Sequence, residues 1–71
     1  MSDANLIKMA NQIAKYFATE PDPQAAVLGV RNHIQMFWTP GMKKELVALQ
    51  AANQAADLHP LARDAVRGAG W

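Results

Sequence analysis

Few side chains in this 71-residue sequence can do chemistry, and their spacing does not assemble them. The hydroxyls are Ser2, Tyr16, Thr19 and Thr39. A nucleophile needs a base within hydrogen-bond reach in a closed site. Ser2 and the two threonines stand instead where a short oxygen caps the start or end of a helix. His33 is the more interesting histidine, at the edge of an apolar helix face beside Ala26, Gly29 and Phe37. Its i+3 and i+4 positions are Met36 and Phe37, so no second metal ligand shares its face. It reads as a half-buried histidine or a partner contact. His59 precedes Pro60 and reads as a weak cap or a solvated ring. There is no cysteine, which excludes disulfides, zinc–thiolate sites and iron–sulfur ligation by this chain and fits a reducing compartment. Gly68-Ala69-Gly70 is too short for a phosphate-binding loop. No catalytic, cofactor-binding or metal-binding residue is expected in the chain.

The elements that carry these side chains are helical. Leu6, Ala10, Ile13 and Phe17 recur at helical spacing, widened by Ile7, Met9, Ala14 and Ala18, while Lys8, Gln12 and Lys15 fall opposite. So wide an apolar arc predicts contact with two neighbours. Asn11 sits at its boundary, where an amide costs free energy unless paired; it is either solvated or engaged by a partner. Glu20-Pro21-Asp22-Pro23 breaks the helix, with Asp22 as cap and Pro23 at the first position of the next. Val27, Val30, Ile34 and Phe37 form its core stripe. Ala25, Leu28, Gly29 and Met36 form a second stripe that a two-helix packing would leave in water. Thr39-Pro40 opens a third helix, weakened by Gly41, with Met42, Leu46 and Leu49 on one face. Its alanine-rich end can fray. Leu58-His59-Pro60 is the last break. A short helix follows, with Leu61, Ala65 and Val66 inward, and then a flexible tail from Gly68 to Trp71.

The expected fold class is therefore all-α: a single domain over 1–71, a small bundle of three main helices plus a short C-terminal helix, spanning about 4–19, 23–37, 40–55 and 60–67. Fourteen of the apolar residues are alanine, leaving 22 larger ones. So modest a core points to a partner surface as a further source of stability.

Net charge is +1, and the densest basic run, Lys43-Lys44, is followed by Glu45. That argues against nucleic acid, whose binding rests on phosphate neutralisation. No apolar run reaches membrane-spanning length. The N-terminus lacks signal-peptide character, so the expected location is cytoplasmic. Methionine adapts to irregular surfaces and tryptophan concentrates at interface centres. Trp38 adjoins Phe37, so the two cannot point the same way. Either Trp38 closes the core, or it anchors a partner near the Thr39-Pro40 corner.

The blocks Met9-Ala10-Asn11-Gln12-Ile13-Ala14, Phe17, His33-Ile34 to Phe37-Trp38 with Pro40 and Met42, and Pro60-Leu61 with Arg63 and Ala65 resemble the delta subunit of soluble NAD-dependent formate dehydrogenases. The resemblance spans nearly the whole chain, with the blocks in order. Thr39 stands where the family usually has an acidic residue, Gly41 where it has arginine, and His59 where it often has aspartate. The resemblance implies a non-catalytic accessory subunit that docks on the catalytic alpha subunit and supports assembly or stability. The molybdenum or tungsten bis-pterin cofactor, iron–sulfur clusters, FMN and NAD would lie on partner subunits. The expected partner-binding residues are Asn11, Leu28, His33, Met36, Trp38, Pro40 and Met42. A free-standing helical adaptor that self-associates through the same surface is the alternative.

Overall fold

The computed structural model describes residues 2–71 and holds four α-helices, with no strand among those residues. They are α1 (Asp3–Phe17), α2 (Pro23–Phe37), α3 (Pro40–Ala51) and α4 (Pro60–Val66). The fold is the all-α bundle of three main helices and a short fourth.

Each helix begins where a side chain can accept from its unpaired first-turn amides. The Ser2 hydroxyl accepts from Asn5 N, the Asp22 carboxylate from Gln24 N, the Thr39 hydroxyl from Met42 N, and His59 Nδ1 from Leu61 N. Three of these caps precede a proline, whose fixed φ suits the first helical position. α1, α3 and α4 end earlier than periodicity alone suggests. α1 stops at Phe17, where Thr19 Oγ1 donates to Tyr16 O at 2.9 Å. α3 stops at Ala51 rather than near residue 55, because Asn53 takes a left-handed conformation at φ 61°. Gln54 N then donates to Leu49 O at 2.8 Å and Asn53 N to Gln50 O at 3.2 Å. This paired closure satisfies the last carbonyls of α3 and turns the chain sharply. The turn brings Ala55 and Leu58 into the core.

The core joins Leu6, Ala10 and Ala14 of α1, Ala26, Val30 and Ile34 of α2, Leu46 and Leu49 of α3, and Ala62, Ala65 and Val66 of α4. Small side chains at these seams let helix axes approach closely. α1 packs against all three other helices, one more neighbour than its apolar arc suggests. The core stripe of α2 runs at spacing four, Ala26–Val30–Ile34, and continues to Trp38. There the chain leaves the helix in an extended conformation and turns the indole inward. Phe37, expected in the core, is 67% exposed, whereas Trp38 is 7% exposed. The expected second stripe is also divided. Gly29 lies under the Phe17 ring, which a Cβ at that position would overlap. Leu28 and Met36 remain exposed.

Side-chain bonds to the main chain fasten α4 and the turn before it. Asn11 Nδ2 donates to Asp57 O at 2.9 Å, and its Oδ1 accepts from His59 N at 2.7 Å. The Arg31 guanidinium donates to Ala65 O, Asp64 O and Arg67 O at 2.9, 3.2 and 2.9 Å. A cation on the last carbonyls of a helix opposes their partial negative charge. Arg63 Nη2 reaches Ala56 O and Leu58 O at 3.3 and 3.1 Å. The tail expected to be flexible folds back: Trp71 is half-buried against the core, and its indole N–H donates to Gln35 Oε1 at 2.6 Å.

Candidate functional site

An open groove of about 680 Å³ lies between α1 and the C-terminal half of α2, closed at one end by the start of α3. α1 supplies Met9, Gln12, Ile13, Tyr16 and Phe17; α2 and its cap supply His33, Phe37 and Trp38; α3 supplies Met42. The α1 residues recur at three and four positions, which puts them on one flank of that helix.

A row of four rings crosses the groove. Tyr16 and Phe17 meet edge to face with centroids 5.0 Å apart, Phe17 and His33 at 6.5 Å, and His33 and Phe37 at 4.8 Å. Such pairs contribute about 0.5–1.5 kcal/mol each beyond their buried area. The row therefore fixes an apolar surface that still faces water: Tyr16 and Phe37 are 73% and 67% exposed. His33, Gln12 and the Tyr16 hydroxyl supply its polar points.

The expected partner-binding residues separate into groups. His33, Trp38 and Met42 line the groove, with Trp38 forming buried floor. Met36 is exposed on α2 next to Phe37, and Pro40 is exposed at the head of α3. Leu28 belongs to a different, shallow depression shared with Val27, Arg31 and Asp64. Asn11 is half-buried on α1, and both ends of its amide bond to the 57–59 turn. Sequence reasoning did not single out Met9, Ile13, Tyr16, Phe17 or Phe37 as surface, because half-covered helix flanks and core faces share one periodicity.

Among the described residues no group of three or more histidine, cysteine or carboxylate side chains is placed to hold a metal ion. No helix among them is long and apolar enough to cross a membrane. At the three positions where the resemblance showed departures, Thr39 and His59 both act as caps, and Gly41 is exposed, with the Thr39 hydroxyl 4.0 Å from where a Cβ would stand.

No curated protein and no solved structure matches the chain. The family model of the NADH-dependent formate dehydrogenase delta subunit FdsD matches residues 5–66, and so takes in every helix except the first two residues of α1. On that match, which covers most of its 71 residues, the chain belongs to the FdsD family of formate dehydrogenase delta subunits.

Proposed function

We propose that this chain docks through the α1–α2 groove on the catalytic alpha subunit of a cytoplasmic formate dehydrogenase and supports assembly or stability of the complex. The observation that carries this reading is the exposed ring row ending at Phe37. Contiguous apolar surface on a small domain marks an interaction site, and aromatic side chains held rigid beforehand make strong contact points at low entropic cost. In this reading Met36, Phe37, His33, Met42 and Pro40 touch the partner, Trp38 supports them from beneath, and Asn11 acts by holding α4. Leu28 makes contact where the partner also reaches the far flank of α2. The molybdenum or tungsten bis-pterin, iron–sulfur, FMN and NAD groups then lie on partner subunits.

The test is capture from the native host with a tagged chain. The wild type should retain a large molybdenum- or tungsten-containing subunit. Phe37→Glu should keep the helical content and lose that subunit. Wild-type chain that captures no such subunit, or Phe37→Glu that captures it undiminished, sinks the proposal. Sedimentation of the isolated chain decides the rival reading, in which the groove pairs two copies.

A further inference from the structure

α2 and α3 are joined through Trp38 and Thr39 alone, and of all the helix pairs they make the least direct contact. Burial along α3 shows the consequence. From Pro40 to Glu45 no residue is fully buried, and Leu46 is the first that is. The head of α3 therefore has little of its own to hold it against α2. Segments with few buried apolar contacts are the ones that open first. The tail from Gly68 to Trp71 comes in at this place. With Gln35 of α2 and Pro40, Lys43 and Lys44 of α3, its residues Ala69, Gly70 and Trp71 line a cavity of about 380 Å³.

The path of the tail is specific. Gly68 and Gly70 both take left-handed conformations, at φ 78° and 76°. A Cβ disfavours that conformation by about five- to thirtyfold at each position. The path ends with the Trp71 indole against the core and its N–H on Gln35 Oε1 at 2.6 Å. Gln35 is exposed, so water competes for that bond and the indole can be released.

The docked tail backs onto the groove. Gln35 and Phe37 stand about 200° apart around α2, as do Met42 and Lys44 around α3. Phe37, Trp38 and Met42 line the α1–α2 groove, whereas Gln35, Pro40 and Lys44 line the tail cavity. The two cavities thus lie on opposite sides of one corner, and a helix head that moves on one side moves on the other. We propose that Trp71 is a latch on the shape of the groove. Docked, it holds the head of α3 at the angle to α2 that closes the groove's end. Released, it lets that head pivot about Trp38-Thr39 into the vacated space and carry Met42 away from the ring row. The latch stands whether or not the groove docks on the alpha subunit.

The test is NMR of the full chain labelled with ¹³C in the methionine methyl groups and ¹⁵N throughout, with Trp71→Ala, Trp71→Phe and the double variant Gly68→Ala, Gly70→Ala set against the wild type. Trp71→Ala removes the latch. The Met42 methyl signal should move, and amide exchange from Lys43 to Leu46 should speed up by about fivefold, the worth of one net hydrogen bond. Exchange in α1 should stay as it was. Trp71→Phe keeps a ring in place and should leave Met42 near its wild-type position. The double variant keeps the indole, and a Cβ at either glycine meets nothing within 4 Å, so only the backbone conformation is strained. Its indole proton should exchange with water faster by up to about a hundredfold, the product of the two strains. Its Met42 signal should lie on the line from wild type to Trp71→Ala, the mark of one two-state equilibrium. Changes that stay within Gln35 and residues 66–71 overturn the latch. So does a double variant whose indole exchanges as fast as free tryptophan while Met42 stays in its wild-type position. Should Trp71→Ala fail to fold, the double variant still decides.

Discussion

Gly29→Ala separates local propensity from tertiary packing, because the two give opposite signs. Gly29 lies inside α2, where glycine costs about 1 kcal/mol relative to alanine. Propensity alone therefore predicts a more stable protein by about that amount. The structure predicts the reverse. A Cβ at Gly29 would overlap three atoms of the Phe17 ring. That ring cannot swing away freely, for it is held edge-on between Tyr16 and His33. Forcing extra volume into such a contact costs about 1–3 kcal/mol. Against the propensity gain, the net is a loss of about 1 kcal/mol. Urea unfolding followed by far-ultraviolet circular dichroism reads this directly, with the slope expected unchanged. A double-mutant cycle isolates the cause. In a Phe17→Ala background the obstruction is gone, so Gly29→Ala should then stabilise by about 1 kcal/mol. If the Phe17→Ala protein is marginal, the cycle can be run in trimethylamine N-oxide, which favours the compact state. Gly29→Ala that stabilises the wild type, or that has the same effect in both backgrounds, refutes the reasoning.

Other expectations follow from the bonds that fasten α4 and the tail. Asn11→Ala removes both bonds to the 57–59 turn and strands the His59 amide, a loss of about 2 kcal/mol; a thermal melt should show a midpoint lower by about 8–16 °C, and an unchanged midpoint rules this out. Arg31→Met keeps the apolar stem but leaves three carbonyls at the end of α4 without their donor, so amide exchange in α4 should speed up by about 30-fold while α1 changes far less. Trp71→Phe should cost no more than about 1 kcal/mol, and in the wild type the Trp71 indole proton should exchange with water much more slowly than that of free tryptophan; equal rates would show that the tail is not docked.

The boundaries between helices were legible because proline and capping residues act locally. Asp22-Pro23, Thr39-Pro40 and His59-Pro60 fix their own starts whatever packs around them. Leu6, Ala10, Leu46 and Leu49 were legible as core because they lie at the centres of their apolar arcs. What escaped depended on partners distant in sequence. Phe37 and Trp38 are both large and apolar, and only the chain's exit from α2 decides which one turns inward. Gly29 reads as part of an exposed stripe until Phe17 is seen to cover it. Arg31 gives no sign in sequence that it will reach carbonyls more than 30 residues away. Asn53 was the one missed stop with a local signal, since asparagine tolerates the left-handed conformation better than any residue but glycine. The groove was half legible: His33, Trp38 and Met42 stood out, while Met9, Ile13 and Phe17 of its α1 wall read as part of an apolar core face and Gln12 as part of the opposite, polar one.

The fastening of α4 has a bearing on which substitutions the chain can absorb. Every bond that Asn11, Arg31, Gln50 and Arg63 make to residues 56–67 ends on a main-chain atom. Those atoms are common to nearly all amino acids, so the identity of the side chain at Ala56, Asp57 or Asp64 is immaterial to the attachment. Position 59 is the exception, where proline would remove the amide that Asn11 receives. A saturation-mutagenesis map should accordingly show a permissive C-terminal segment on its outer face, Arg63 excepted, paired with three intolerant positions elsewhere in the chain, Asn11, Arg31 and Gln50. The information that specifies where α4 sits is written mainly outside α4.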